Sequence, residues 1–172
     1  MDKSRIGLKL TLDAAGLSGV PLRTFSDRLN VQKRVYLIQA LGHDLGYRFG
    51  WYLRGPYCRE LTADAFALRG EIESGDRDAE DWSLADETKA SINRAEALWS
   101  VPQTPRVERD DWLELLASLH YLKTVAYWPR GSDRSFDESV KKLVDAKPRF
   151  EGRDSEARAA WNRLGEFGLI AV

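Results

Sequence analysis

Gly55-Pro56 stands in the middle of YRFGWYLRGPYCREL, residues 47–61, and it interrupts two different hydrophobic periodicities. Proline fixes its own φ and turns its predecessor away from helix, so no helix runs through this point. Before it, Tyr47, Phe49, Trp51 and Leu53 alternate with Arg48, Gly50, Tyr52 and Arg54, which is the period of a strand. After it, Leu61, Ala65, Leu68 and Ile72 return at helical spacing. The local order expected is therefore helix, short strand, tight turn, helix.

Helical spacing dominates elsewhere. Residues 26–45 place Val31, Val35, Ile38, Leu41 and Leu45 on one face, with Ser26 or Asp27 as cap and Arg28, Lys33 and Arg34 off that face, exposed and basic. Residues 107–127 carry the strongest pattern: Trp112, Leu115, Leu116, Leu119, Leu122 and Val125 or Ala126. Ser135 to Glu138 reads as a capping box opening a helix that Pro148 stops, and Asp154 caps a last helix with Ala157, Trp161, Leu164 and Phe167. Ser83 to Asp86 is a second box. Residues 1–20 lean to helix, and residues 1–30 are expected as a poorly defined N-terminal extension. The loops fall at 74–83 and 100–106. The fold class expected is mainly α: one compact, helical, winged-helix-like domain over 1–172 with one or two short strands. The last three helices and an extended tail at 169–172 suggest the winged-helix layout, although the second strand of a wing is not visible.

Charge narrows the function classes. The net charge is −1 over 172 residues, so no global field draws the chain to nucleic acid or anionic membrane. Residues 1–60 carry +5, 61–100 carry −6, and the rest balance. That distribution fits solvated helix faces, or a basic face for nucleic acid or an acidic partner. One cysteine fits a reducing compartment, and the absence of a long apolar run makes a cytoplasmic location the expectation, with no membrane partner.

No spacing supports a metal or a cofactor. His43, His120 and Cys58 lack ligand spacing, and no phosphate loop is present. His120 reads as a partly buried structural histidine. Cys58 begins a helix, where a thiol gains modest reactivity, but no nucleophile–base pair surrounds it. Asp64, Glu71 and Lys89 resemble a nuclease set no more than chance allows. The live chemistry is interaction. Trp51, Tyr52, Arg54, Tyr57 and Arg59 mix the residue types that dominate protein–protein hot spots. The same types can pair phosphates and stack bases, with Arg28, Lys33, Arg34, Arg158 and Arg163 as further nucleic-acid candidates. Against both stands the reading that half the aromatics are core. Trp82, Trp99, Tyr127 and Trp128 are expected to gather in one exposed apolar patch if the chain docks on a larger protein.

Three stretches also resemble a known family. VQKRVYLIQALGHDLGYRFGWYLRGPYCRELTADAFAL shows a Q-K-x-V/L-Y-L-x-Q helix, a Y-x-F-x-W-Y-x-R-G-P-Y strand-turn and an E-L-x-x-D helix. WLELLASLHYLKTVAYW is similar to its central helix, and VKKLVDAKPRFEGRDSEARAAWNRLGEFGLI to its final helix pair. The resemblance is to the YwgA-like proteins, related to Panacea antitoxin domains and including middle components of Lamassu-like ABC-three-component defence systems. It spans about residues 31–170. It implies a helical domain without a catalytic site that acts as an antitoxin, adaptor or accessory subunit. Its partner would be a larger protein, an SMC-like ATPase or a nuclease, with nucleic acid inside the assembly as an open alternative. It also implies a structural role for Gly55-Pro56-Tyr57. The rival readings are a DNA-binding regulator that uses 135–167 as helix-turn-helix, and a nuclease.

Overall fold

The computed structural model describes residues 1–171. It is mainly α with one small two-stranded sheet. In chain order the elements are α1 (Lys3–Ala14), α2 (Phe25–Ala40), β1 (Gly50–Tyr52), β2 (Gly55–Tyr57), α3 (Arg59–Glu73), α4 (Asp86–Arg94), α5 (Glu96–Trp99), α6 (Arg109–Thr124), α7 (Phe136–Ala146) and α8 (Asp154–Glu166). Single 3-10 turns stand at Asp78–Asp81 and Pro148–Phe150. The chain groups into two compact units, one of Met1–Tyr52 with Pro56–Ala97, the other of Leu53–Gly55 with the residues from Leu98 onward.

In the first unit, α1 packs on α3, on α4 and on the first 3-10 turn, and α2 packs on α3. Leu8, Leu12, Leu17, Val20, Leu22, Val31, Val35, Leu61, Ala65 and Leu68 close its core. Five of these lie within residues 1–30, so that segment is core and not an ill-defined extension. Val20 takes a positive φ of 49°. A β-branched residue is strained there, and burial in this core holds it. Thr24, not Ser26 or Asp27, caps α2: its Oγ1 accepts from Asp27 N–H at 3.0 Å, and the Asp27 carboxylate accepts from Thr24 N–H at 2.9 Å. That reciprocal pair is a capping box, placed two to three residues before the expected cap.

The hairpin corrects the reading of residues 47–57. Gly55-Pro56-Tyr57 is itself the second strand, and Leu53 and Arg54 form the turn. Leu53, read on the same side as Tyr47, Phe49 and Trp51, is 76% exposed. Leu53 and Arg54 keep negative φ, and Gly55 supplies the left-handed residue that follows such a turn, at 82°. The missing partner strand therefore lies between α2 and α3, not after α8. No strand forms at 169–171, and Val172 lies outside the described residues.

In the second unit, α6 packs on α7 and α8. Its pattern suggested an amphipathic helix, yet every residue from Trp112 to His120 is buried. A helix enclosed on all sides must take its polar residues inside too, and Glu114, Ser118 and His120 go with it. Ser135 caps α7, accepting from Glu138 N–H at 3.4 Å, which is one half of the expected box. Neither α4 nor α8 has a side-chain cap, so the box read at Ser83 and the cap read at Asp154 do not form.

Candidate partner-binding face and a buried charge cluster

The polar side chains of α2 organise the first unit's extended segment. Gln32 and Gln39 are seven residues apart and share a helix face. Gln39 donates to Tyr47 O at 2.9 Å and accepts from Tyr47 N–H at 3.1 Å and Leu45 N–H at 3.2 Å. Gln32 treats Cys58 the same way, donating to its carbonyl at 2.8 Å and accepting from its N–H at 2.9 Å. Each amide thus stands in for a neighbouring strand, satisfying backbone groups that would otherwise be buried and unpaired. Lys33 completes the set. It is 2% exposed and donates to Pro56 O at 2.6 Å. The Q-K-x-V-Y-L-x-Q pattern is therefore, in this chain, the clamp of the hairpin: its three polar positions hold Tyr47, Pro56 and Cys58.

What the clamp presents is aromatic. Tyr52 is 58% exposed and its ring lies 5.4 Å from that of Tyr57. Tyr57 is braced beneath: its hydroxyl accepts from Thr62 Oγ1 at 3.0 Å, and Thr62 accepts from Gln32 at 2.8 Å. Arg59 is exposed in the first turn of α3, and Trp51 is half-buried. Phe49 packs edge-on against Tyr36 at 5.1 Å, as core. Cys58 is buried at the N-cap of α3, where its Sγ accepts from Leu61 N–H at 3.5 Å. His43 meets Thr11 Oγ1 at 3.0 Å, and burial lowers its pKa despite the nearby Asp44.

Arg54 does not join this face. It belongs to the second unit, in a cluster that sequence reasoning missed. Asp111 and Glu114 sit three apart on α6, with Glu114 fully buried at 0% exposure. Glu114 is bridged by Arg54 and Arg149, and lies 3.3 Å from Lys147. Asp111 meets Arg149 at 2.8 Å, Arg153 at 2.7 Å and Arg54 at 3.4 Å. Lys147 also donates to Leu53 O, and Arg153 pairs with Glu156. Burial pushes the Asp111 carboxyl up, but its bonds to Arg149 and Arg153 prevail and hold its pKa below the ordinary aspartate value. Burial lowers Lys147, with Glu114 opposing. The sequence signal for this set is faint. Asp111 and Glu114 share a face of a buried helix, and K-P-R-F-x-x-R follows α7, but nothing local pairs them.

The nucleic-acid candidates are all engaged within the protein. Lys33, expected exposed, is buried. Arg34 donates to Ala15 O at 2.5 Å, and Arg28 to Leu22 O at 3.0 Å. Arg163 donates to Ser100 O at 3.2 Å and Leu98 O at 3.4 Å. Arg158 stacks on Phe136, 3.3 Å from the ring centroid. The aromatic patch expected of Trp82, Trp99, Tyr127 and Trp128 does not form as one. Trp99 is buried, Trp82 is exposed in the first unit, and Tyr127, 82% exposed, is in the second beside half-buried Trp128. Among the described residues no group of His, Cys, Asp and Glu side chains is placed to hold a metal ion, and no helix is long and apolar enough to cross a membrane. No family model, curated protein or solved structure matches the chain.

Proposed function

We propose that the chain is a non-catalytic interaction subunit that binds a larger protein, in a prokaryotic antiphage defence or toxin–antitoxin complex. One observation carries the reading. Three side chains of α2 hold a short hairpin rigid, and the hairpin displays Tyr52 and Tyr57 beside exposed Arg59. An exposed tyrosine on a pre-organised backbone loses little entropy on binding, which favours it as a hot-spot anchor. The likeness of R-G-P-Y and of the Q-K-x-V-Y-L-x-Q helix to the YwgA-like and Panacea-related proteins supplies the biological setting. The DNA-binding alternative draws less support, because Lys33 is buried, Arg28, Arg34 and Arg163 hold backbone carbonyls, and exposed Arg158 lies on the Phe136 ring.

The test is purification of the tagged chain from its native host, with mass spectrometry and nucleic-acid quantification. A large partner should copurify in fixed stoichiometry with the wild type and be lost from the Tyr52→Ala/Arg59→Ala chain, whose circular dichroism stays unchanged. A partner retained by that variant would reject the hairpin face. A lone chain carrying DNA would reject the subunit reading.

A further inference from the structure

Between α7 and the start of α8, the second unit carries a groove of about 360 Å³. Phe136, Val140 and Val144 form its floor. They fall four residues apart on α7 and so share one face. The rim is Asp137, Asp145, Glu151 and Asp154, against Lys141 as the one base. Asp145, Glu151 and Asp154 are exposed, and their carboxylates bond to no described residue. Asp137 and Asp154 have an internal reason to be acidic, since each stands in the first turn of a helix. Asp145 has the opposite placement. It stands in the last turn of α7, where a carboxylate opposes the dipole. Helix stability does not call for it, nor for Glu151, which follows the second 3-10 turn.

The groove's own edge shows how a cation is held there. The Arg158 guanidinium lies 3.3 Å from the centroid of the Phe136 ring and 3.7 Å from Asp137. Ring face and carboxylate act together on one positive charge. The free acids continue that chemistry along the rim beyond the reach of Arg158. A nucleic acid is repelled by such a rim. A cationic chain with an apolar side chain finds complements for both of its properties.

We infer that this groove docks a basic amphipathic segment of a partner protein. One or two apolar side chains fill the Phe136–Val140–Val144 floor, and flanking Lys or Arg pair with Asp145, Glu151 and Asp154. The inference rests on the interaction-subunit reading and deepens it by stating the chemistry of part of the partner. It is independent of the Tyr52 face, so a failure here leaves that face standing.

The experiment is fluorescence anisotropy on the full purified chain with three labelled synthetic peptides. One has Leu and Lys at helical spacing, one has Leu and Glu at the same positions, and one has Lys without Leu. The Leu/Lys peptide should bind, the Leu/Glu peptide should not, and removing Leu should weaken binding about tenfold or more. Asp145→Asn/Glu151→Gln should weaken the Leu/Lys peptide by about tenfold, since two exposed pairs are lost. Lys141→Gln should tighten it, an effect that misfolding does not mimic. Glu80→Gln/Asp81→Asn, in the first unit's acidic run, should leave it unchanged. Absent binding, equal binding to Asp145→Asn/Glu151→Gln, or equal binding of the Leu-free peptide would each overturn the inference.

Discussion

His120 is enclosed within α6, and burial pulls its pKa down to about 4 from the ordinary 6.5. Between those two values the unfolded chain binds a proton that the folded chain refuses. Stability therefore falls as pH drops from 6.5 to 4, by about 3 kcal/mol, and the loss is complete below 4. Urea titrations at pH 7 and pH 4 should show this difference, and His120→Leu should remove that part of it. Glu114 is the second residue on which much depends. Its carboxylate balances Arg54, Lys147 and Arg149 at a fully buried position. Glu114→Gln leaves the buried Lys147 ammonium without its carboxylate, while Arg54 and Arg149 keep Asp111, so it should lower the unfolding free energy by about 3 kcal/mol in denaturant melts. His120 could be read from sequence as structural because it sits next to the Leu119 face of a strongly amphipathic pattern. Glu114 could not, because its partners lie 60 residues before it and 33 to 35 residues after it.

At the scale of elements, the hairpin depends on α2. A two-stranded ribbon of three residues a side has too few bonds to stand alone. Gln32, Lys33 and Gln39 provide the remainder. Gln32→Leu should cost about 2–4 kcal/mol, because the buried N–H and carbonyl of Cys58 lose their partners together. Hydrogen exchange should then quicken at Cys58 and Tyr57 while α6 keeps its protection. If the hairpin amides stay protected in Gln32→Leu, the clamp is not what holds them. The helices themselves were legible because i, i+3, i+4 spacing is local. The strand at Gly55–Tyr57 was not: three residues carry no readable period, and proline argues against a strand unless it sits at an edge.

For the whole molecule, net charge is nearly zero and the basic first third is largely consumed internally. Lys33 is buried in a hydrogen bond, Arg34 and Arg28 hold carbonyls, and Arg54 meets Glu114 and Asp111. Phosphate neutralisation needs cations that are free to move onto a backbone. The purified chain should therefore show no retention on double-stranded DNA at physiological salt. Arg158→Ala/Arg163→Ala should lower its melting temperature without changing that result. Steep, salt-dependent retention lost in this double variant would reverse the ranking of the two readings.

The mainly helical class, the break at Gly55-Pro56, the Ser135 cap and most helix positions are written in local stretches of the chain. All of these follow from spacings under about eight residues and from the backbone limits of glycine and proline. Which charged residues end up inside emerges when distant segments pack together. The burial of Lys33, the enclosure of α6 and the union of Arg54 with Asp111, Glu114, Lys147, Arg149 and Arg153 join positions up to about a hundred residues apart. A charged residue carries no local sign of whether it will meet water or a partner. That is settled by which backbone carbonyls and carboxylates the fold leaves buried beside it.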